Sequence, residues 1–327
     1  MSRERAGIRV TTMSMDHVEA SAELFVSRYE AARKTLRVLP DTWSEDPSHV
    51  RSFLSNHVGD GSAYVAERGG EPVGYMAYDS FPFHGERKAF CPVLGHASVE
   101  AGRSLIYLEM YRALSRRWVE DGVLGHFVTY FSDDAVLRDL FFGLGFGLYV
   151  VDCFGPPEPV AGSGQADVRE GSVDDLPELV RLDEEFRRFT VEPPLFLVRE
   201  KLSQRRYERL LTDGGSRVFI AEAGGRAVGF IYVRRNDEDD AVTLSPRGVG
   251  MIDVIGAYLE PDARGRGVGE QLLDRAFEWC RGNDVSSVHV DFESANPYAS
   301  RFWPKYFTPV LHSVKRSVNQ DIVSLHK

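Results

Sequence analysis

An internal repeat constrains the fold of this chain more than any other feature. The stretch that begins at Ala66 reads AERGGEPVGYM, and the stretch that begins at Ala221 reads AEAGGRAVGFI, with six of eleven positions identical at an offset of 155 residues. Each copy is expected to form a β-hairpin with a Gly-Gly turn. A helical stretch that ends at Trp118 has a counterpart that ends at Trp279, an offset of 161. The sequence therefore predicts two copies of one fold.

A short segment between the two copies is predicted to be a linker. Residues 155–164 read GPPEPVAGSG, and a mixture of proline and glycine of this kind disfavours helix and strand. The predicted organisation is a first domain over residues 1–155, a linker over 156–166 and a second domain over 167–327. Two domains suit a chain of 327 residues, at roughly 150 residues per domain.

Both halves are predicted to open in the same way. A short strand is expected at residues 8–11 and again at 167–169, and each is followed by an amphipathic helix, at 15–29 and at 173–186. Each half then continues as hairpin, strand, helix, strand, short helix and strand. This order predicts an α/β (α+β) fold in which helices flank a mixed sheet.

Composition excludes several classes of protein. A net charge of −10 disfavours a nucleic-acid-binding chain, which normally carries excess positive charge. Cys91, Cys153 and Cys280 lie too far apart for a disulfide framework or a zinc site, and the histidines show no metal-ligand spacing. We see no signal peptide, and the apolar stretch 140–151 is too short to span a membrane. We therefore expect a cytoplasmic protein that binds neither nucleic acid nor membranes nor a metal.

A glycine-rich turn is the sharpest local signal. Residues 252–270 read IDVIGAYLEPDARGRGVGE. An apolar strand is expected over 251–259, with Gly256 as the marker of a bulge in it, and ends at Pro261; a helix is predicted from Val268 to about Cys280. Arg264 and Arg266 are expected to supply mobile positive charge at the rim of the turn. The first N–H groups of a helix have no partner within it, and glycines let a phosphate approach them closely. A plain strand-to-helix turn is the alternative. The stretch lacks the Gly-Lys-Ser/Thr ending of a P-loop, and Glu270 stands where the dinucleotide fingerprint has glycine.

The pattern Arg264-x-x-Gly267-x-Gly269, together with the stretch NPYASRFW that begins at Asn296, resembles the acetyl-CoA motif of the GCN5-related N-acetyltransferases (GNAT). The resemblance spans residues 167 to about 318. It implies tandem GNAT-like folds, each a mixed, mostly antiparallel twisted sheet flanked by helices. It also implies an N-acetyltransferase that moves an acetyl group from acetyl-CoA to a primary amine by direct transfer in a ternary complex.

The resemblance assigns residues to acetyl-CoA. It gives the backbone N–H of Ala257 to the thioester oxygen, Leu259 and Asn296 to the pantetheine arm, and the turn to the pyrophosphate. The full predicted set of cofactor-binding residues is Ala257, Tyr258, Leu259, Arg264, Gly265, Arg266, Gly267, Val268, Gly269, Glu270, Asn296 and Phe302.

The catalytic groups are less clearly marked. Asp253 matches the position of the general base in several GNAT enzymes, while pairing with an arginine or exposure to solvent is the alternative; Glu260 is a weaker candidate. Trp303 stands where the family often has the tyrosine that protonates the thiolate. Tyr306 is the preferred substitute for that acid, with Tyr298 or a water molecule as alternatives.

The first half resembles a worn copy of the second. At an offset of 161 the turn maps onto residues 103–108, where no glycine remains, and Asp134 replaces the asparagine of the family. We therefore expect a degenerate, non-catalytic GNAT-like domain that completes a pseudo-dimer and walls the substrate cleft. Tandem enzymes similar to mycothiol synthase offer a precedent for this arrangement of two domains.

The acceptor is not specified by any motif. A small-molecule amine or a peptide N-terminus is expected, used by a monomer or a homodimer. The acidic run 236–240 is expected to be a solvated loop; the alternative is that its negative charge attracts a cationic amine acceptor. Two alternatives stay open: a non-enzymatic acetyl-CoA-binding regulatory module, and an enzyme that uses a longer acyl-CoA.

Overall fold

The computed structural model describes residues 7–83, 86–162 and 164–325. In the first half of the chain the helices are α1 (Val18–Arg33), α2 (Thr42–Glu45), α3 (Ser48–Asp60), α4 (Arg103–Glu120) and α5 (Ala135–Gly143). The strands there are β1 (Ile8–Thr12), β2 (Ala63–Arg68), β3 (Glu71–Ala77), β4 (Asp79–Phe83), β5 (Glu86–Cys91), β6 (His96–Ser98), β7 (Gly125–Phe131) and β8 (Gly147–Gly155).

The second half has the same kinds of element. Its helices are α6 (Leu176–Val191), α7 (Gln204–Thr212), α8 (Val268–Gly282), α9 (Ala299–Phe302) and α10 (Ile322–Leu325). Its strands are β9 (Asp167–Glu170), β10 (Ser216–Ala223), β11 (Arg226–Arg235), β12 (Gly250–Ile252), β13 (Ala257–Leu259), β14 (Val288–Glu293) and β15 (Thr308–Ser317). The described part of the linker, 156–162 and 164–166, has neither helix nor strand.

The chain divides into two compact units, neither of which is one continuous segment. Unit 1 comprises the chain up to Asp152, Asp240–Leu244 and the chain from Pro309 onward. It holds an antiparallel sheet of order β1-β2-β3-β6, and a second sheet in which β5 pairs with β7 in parallel and β7 with β15 antiparallel. The apolar face of α4 covers the first sheet with Ile106, Met110, Leu114 and Trp118, all fully buried.

Unit 2 comprises Cys153–Asp239 and Ser245–Thr308. Its sheet has the order β9-β10-β11-β12-β14, with β13 also paired to β11. The pairs are antiparallel except β12 with β14, which is parallel. Helices α6 and α7 bury an apolar stripe against this sheet, with Leu179, Leu182 and Tyr207 at its centre. The predicted fold class, a mixed and mostly antiparallel sheet flanked by helices, is confirmed.

The predicted repeat is visible in local detail. The turns Gly69-Gly70 and Gly224-Gly225 all have positive φ, which residues with a Cβ rarely adopt. Both hairpins carry a shift of register at the same place, after Ala66 and after Ala221. The same turn and the same irregularity thus recur at the offset of 155 that the sequence shows.

Two features differ from the sequence expectations. The strand expected over 251–259 is broken at 253–256, so β12 and β13 are separate. The last strand, β15, pairs with β7 of unit 1, while the sequence placed residues 309–317 in the second domain. The domain boundaries stay a prediction. All three cysteines are buried, and none of them forms a disulfide within the described residues. A search of the described helices found none with the length and apolar character that crossing a membrane requires.

Candidate functional site

The glycine-rich turn ends where α8 begins. Gly267 is the residue that caps this helix, and its φ of 76° lies in the left-handed region; Gly265 has a φ of 70°. A Cβ on Gly269 would lie 3.2 Å from Cε2 of Phe302 and 3.5 Å from Cδ1 of Leu259, so the chain is closely packed on this side. The positive φ values of Gly265 and Gly267 agree with the predicted glycine-rich start of α8, at which the first N–H groups have no partner within the helix.

A large cavity of about 660 Å³ opens in front of this helix N-terminus. All the residues predicted to bind the cofactor line it, except Arg266 and Val268. Arg266 is exposed outside the cavity, and Val268 is buried in the core. The lining also includes residues that the sequence did not single out: Ala161, Phe186, Phe189, Arg301 and Lys305. In the sequence, the apolar residues of this set fit the periodic pattern of a protein core, and the two charged residues resemble ordinary surface charges. Neither property marks a binding site.

Arg264 has a fixed place at the cavity. Its Nε donates a hydrogen bond of 2.9 Å to the backbone oxygen of Leu259. Its guanidinium lies over the rings of Phe189 and Tyr298, at 4.8 and 4.3 Å from their centroids. A cation held over aromatic faces is positioned by them. Arg264 therefore braces the turn against the cavity wall, where the sequence suggested a mobile charge at the rim.

Glu270 and Tyr306 meet at the first turn of α8. The Tyr306 hydroxyl lies 3.5 Å from Oε1 of Glu270, and Nζ of Lys305 lies 4.0 Å from the same oxygen. Burial and the nearby Glu270 charge raise the pKa of the Tyr306 hydroxyl, so it stays protonated at neutral pH. Tyr306 thus lies beside the phosphate end of the predicted site.

The break at 253–256 is a wide bulge. Ile231 pairs with Ala257, and Arg234 pairs with Met251. Between these two pairs the chain advances by three residues on β11 and by six residues from β12 to β13, so three residues are extra. Val254 has a φ of 56°, which is costly for a β-branched residue. Strained backbone of this kind clusters at functional sites. The sequence expectation that Gly256 marks a bulge agrees with its φ of 64° and its position at the end of the detour.

The bulge directs two backbone groups into the large cavity. The Tyr232 N–H donates to the Gly256 oxygen and the Glu260 N–H donates to the Val228 oxygen, each at 2.9 Å. Because hydrogen-bonded pairs alternate in an antiparallel ladder, Ala257 and Leu259 turn their N–H groups away from β11. Both residues line the large cavity. The edge of β13 thus offers free donors to a ligand there.

A small cavity of about 160 Å³ adjoins the large one. The two cavities share Phe186, Ala257, Asn296, Ala299 and Trp303 in their linings. The small cavity is also lined by three acidic residues and one arginine: Asp253, Asp291, Glu293 and Arg199. Trp303 lines both cavities, whereas Tyr306 lines only the large one. Within the described ranges, no tyrosine lines the small cavity.

Asp253 is held by an arginine. Arg234 Nε donates to Asp253 Oδ1 at 3.1 Å and Arg234 Nη2 donates to Oδ2 at 2.6 Å, a bidentate pair with both side chains largely buried. This is the alternative that the sequence left open. Glu260 is bound more tightly still, between Arg181 at 2.8 Å and Arg226. Its carboxylate therefore helps to hold the strand end and is not available as a base.

The corresponding region of unit 1 carries a buried ion pair. The beginnings of α4 and α8 align at an offset of 165, so Gly102, with a φ of 77°, corresponds in position to Gly267. The expectation that no glycine remains in the first copy is wrong on this point, because it used an offset of 161. The next residue, Arg103, is buried and forms an ion pair with Asp134, which is also buried. A cavity of about 510 Å³, lined by Gly102, Arg103 and Ser104 among others, opens at this helix N-terminus.

The acidic run is folded inward in part. Asp239 Oδ1 accepts the Arg247 N–H at 2.7 Å, and Asp240 Oδ1 accepts the Val242 N–H at 2.8 Å. These are structural turn contacts. Among the described residues, no group of histidine, cysteine and carboxylate side chains could hold a metal ion.

Comparison with known proteins identifies the family of this site. Residues 178–307 match the sequence model of the acetyltransferase (GNAT) family. The chain is similar to this family over these residues. They contain the glycine-rich turn, all the predicted site residues and, apart from Ala161, the lining of both cavities. Acetyltransferase activity is the activity of this family.

Relatives extend the comparison beyond this region. An uncharacterised N-acetyltransferase of Methanocaldococcus jannaschii is 26% identical over 129 residues, which are 39% of this chain and 54% of the relative. The match thus spans about half of that relative's length. A GCN5-related N-acetyltransferase from Sphaerobacter thermophilus has a TM-score of 0.58 at 13% identity, covering 97% of both chains.

A second solved structure has a similar fold. It is a GCN5-related glucosamine N-acetyltransferase region in a fungal multi-domain GH3 β-N-acetylglucosaminidase, with a TM-score of 0.55 at 13% identity. It covers 95% of this chain and 38% of that chain. Both fold similarities extend over unit 1 as well as unit 2.

Proposed function

We propose that unit 2 is an acetyl-CoA-dependent N-acetyltransferase that acts on a small primary amine. One observation carries the proposal: the large cavity at the open N-terminus of α8 meets the small, acid-lined cavity at Ala257. A cofactor and an acceptor that filled the two cavities would meet at the free donors of β13. A peptide N-terminus is the other acceptor that this arrangement suits.

The residues of the large cavity fit acetyl-CoA. Gly265, Gly267 and Gly269 leave the first N–H groups of α8 accessible to a diphosphate, which the helix dipole favours. Lys305 and Arg301 line the same cavity and supply positive charge. The outward N–H groups of Ala257 and Leu259 suit the amide groups of a pantetheine arm and a thioester oxygen. When bound, acetyl-CoA supplies an activated acetyl group.

The chain's own residues have three tasks in direct transfer. The Ala257 N–H donates to the oxygen on which negative charge develops. Phe186 and Trp303, shared by both cavities, exclude water from their junction. A carboxylate of the small cavity receives the proton of the amine. Asp253 was the sequence candidate for this last role. Tyr306, the sequence candidate for the acid, lies at the phosphate end of the large cavity, away from the junction where the thiolate would leave.

Unit 1 is proposed to be non-catalytic. Arg103, the first residue of α4, is engaged by the buried Asp134, whose negative charge disfavours a diphosphate at that helix N-terminus. We therefore expect one acetyl-CoA site per chain. Its binding is tested by calorimetric titration of acetyl-CoA into the full chain.

Substitution of the two helix-capping glycines tests the site directly. Gly267→Glu is expected to abolish acetyl-CoA binding, because it adds negative charge and a Cβ at the helix N-terminus. Gly102→Glu is the matched control, since Gly102 caps α4 with nearly the same φ, 77° against 76°. The control should keep one site with unchanged affinity. Binding that survives Gly267→Glu, or that is lost in Gly102→Glu, contradicts the assignment.

A non-enzymatic acetyl-CoA-binding module is the second candidate. One observation favours it: the junction of the cavities has Trp303, whose indole N–H is no acid, and no tyrosine lines the small cavity within residues 7–83, 86–162 and 164–325. Thiol release from acetyl-CoA with a panel of amines separates the two. Tight binding without thiol release for any amine would favour the module.

A further inference from the structure

The small cavity contains three carboxylates, and they differ in what holds them. Asp253 is engaged by Arg234 through both of its oxygens. Asp291 is exposed and has an interaction partner of its own. A carboxylate that receives a proton needs a lone pair directed at the substrate. The pairing of Asp253 directs its lone pairs toward the guanidinium.

Glu293 is in a different situation. It ends β14 and is half-buried. Its backbone oxygen accepts the Asn296 N–H at 2.9 Å, and Asn296 lines both cavities. Across the described ranges, the Glu293 side chain has no hydrogen bond or ion pair with another residue. It is therefore a carboxylate with free lone pairs in the lining of the small cavity, which adjoins the large one.

Arg199 does not neutralise this carboxylate. Its Nη2 donates to the Val254 oxygen at 3.1 Å, and its guanidinium lies 4.4 Å from the centroid of the Phe186 ring. It thus supports the strained bulge and the shared aromatic wall. Arg199, Asp253 with its partner Arg234, and Asp291 are the other charged groups around the small cavity.

We propose that Glu293 is the residue that binds the acceptor as an ammonium ion and takes its proton. This inference rests on the proposed acetyltransferase function and deepens it. The Glu293 carboxylate accepts one proton from the R–NH3+ group, which leaves R–NH2. The nitrogen lone pair forms a bond to the thioester carbon, and the carbon–sulfur bond breaks. The second nitrogen proton goes to the departing thiolate, and Glu293 later releases its proton to water.

The size of the small cavity limits the acceptor. Its volume of about 160 Å³ is about a quarter of the 660 Å³ of the large cavity. A short aliphatic amine, or the amine-bearing end of a longer molecule, suits this space. An acceptor with a carboxylate beside its amine would meet the charges of Asp291 and Glu293 and is disfavoured.

The experiment compares Glu293→Gln with wild type. Ethylamine, 1,4-diaminobutane, glycinamide and glycine are offered with acetyl-CoA to the full chain, and thiol release is followed. The first three amines should be accepted and glycine rejected. Glu293→Gln should reduce kcat/KM at pH 7 by at least about 100-fold, the typical contribution of a general base. The deficit should shrink toward pH 10, where a free alkylamine loses its proton in solution.

Two further readouts distinguish chemistry from structure. Glu293→Gln should bind acetyl-CoA with unchanged affinity in calorimetry, and should bind 1,4-diaminobutane more weakly than wild type without acetyl-CoA. Glu293→Asp should restore part of the activity. Glu278→Gln, which removes an exposed charge on α8, is the matched control and should behave as wild type.

Two results would overturn the inference in different ways. Wild-type kcat/KM in Glu293→Gln, together with an inactive but stably folded Asp253→Asn, would return the proton transfer to Asp253 and leave the acetyltransferase proposal intact. Wild-type protein that binds acetyl-CoA but releases no thiol with any of the four amines would remove both the proposed function and the role of Glu293.

Discussion

At the scale of single residues, the ion pairs of unit 2 show which carboxylates hold the structure in place and are therefore not free to act on a substrate. Arg234 binds Asp253 through two parallel hydrogen bonds, and the pair borders the bulge that carries Val254 in a strained conformation. The bulge in turn sets the direction of the Ala257 N–H. The geometry therefore gives Asp253 a positioning task, which it performs together with Arg234.

Substitution of either partner tests this task. Asp253→Asn and Arg234→Met should each lower the free energy of unfolding by about 2 kcal/mol, the usual contribution of hydrogen bonds to charged groups. Both should lower kcat by a similar factor and leave acetyl-CoA affinity nearly intact. Because the two residues act as one unit, the double variant should be no worse than either single variant. Chemical denaturation and thiol-release kinetics measure these effects.

A different ranking would contradict the positioning role. If Arg234→Met kept full turnover while Asp253→Asn lost it, Asp253 would act on the substrate itself. Arg217→Met, which breaks an ion pair with Glu170 on the same sheet, is a suitable control because Glu170 and Arg217 line neither cavity. It should change neither kcat nor cofactor affinity.

At the scale of elements, the linker is packed against the start of α8. The Val160 N–H donates to Asp274 Oδ1 at 2.9 Å, and the Gln271 side chain exchanges two hydrogen bonds of 3.3 Å with the backbone of Ala166. Gly164 lies against this helix. The φ of Gly164 is not positive, so its backbone conformation does not demand glycine. Glycine is needed because the linker approaches α8 too closely to leave room for a Cβ. The linker thus forms part of the wall around the glycine-rich turn.

Replacement of Gly164 should disturb that wall. A Cβ at Gly164 would lie 2.9 Å from the backbone carbon of Gly267, and closer still to the Gln271 side chain. Gly164→Ala should therefore push the linker from α8 and weaken acetyl-CoA binding several-fold in calorimetry. Gly214→Ala, where the new Cβ meets nothing within 4 Å, is the control and should bind normally. Equal affinities in the two variants would show that the linker does not shape the turn.

The sequence predicted elements better than contacts. The hairpins, the α8 start and the bulge at Gly256 follow from local signals: Gly-Gly turns, apolar periodicity and a glycine inside a strand. Arg234 and Glu293 could not be found in this way, because their roles depend on neighbours distant in sequence. The expected strand over 251–259 failed for the same reason, since only the pairing with β11 reveals the extra residues.

At the scale of the whole molecule, the two copies of the fold have diverged in how they treat buried polar groups. Unit 2 leaves the α8 N-terminus and the β13 edge open. Unit 1 has the buried Arg103–Asp134 pair at the corresponding helix N-terminus and buries two histidines completely or nearly so, His96 and His126. The apolar core of unit 1 thus holds an ion pair and two imidazole rings.

The buried histidines make unit 1 sensitive to acid. His96 and His126 each lie between a tyrosine hydroxyl and a backbone carbonyl, so the neutral ring satisfies both partners. Burial lowers the pKa of each to about 4. A group with a lowered histidine pKa contributes its full stability above the unfolded pKa of about 6.5 and loses it as the pH falls toward 4.

The expected loss is measurable between pH 7.5 and 5.5. Each histidine should lower the free energy of unfolding by about 1.4 kcal/mol at pH 5.5, because the unfolded chain takes up a proton that the folded chain excludes. The double variant His96→Gln/His126→Gln replaces both rings with amides that can donate to the carbonyl and accept from the hydroxyl. It should lose much less stability over this range. Urea unfolding of both proteins at each pH measures the difference, and parallel pH dependences would show that neither histidine resists protonation.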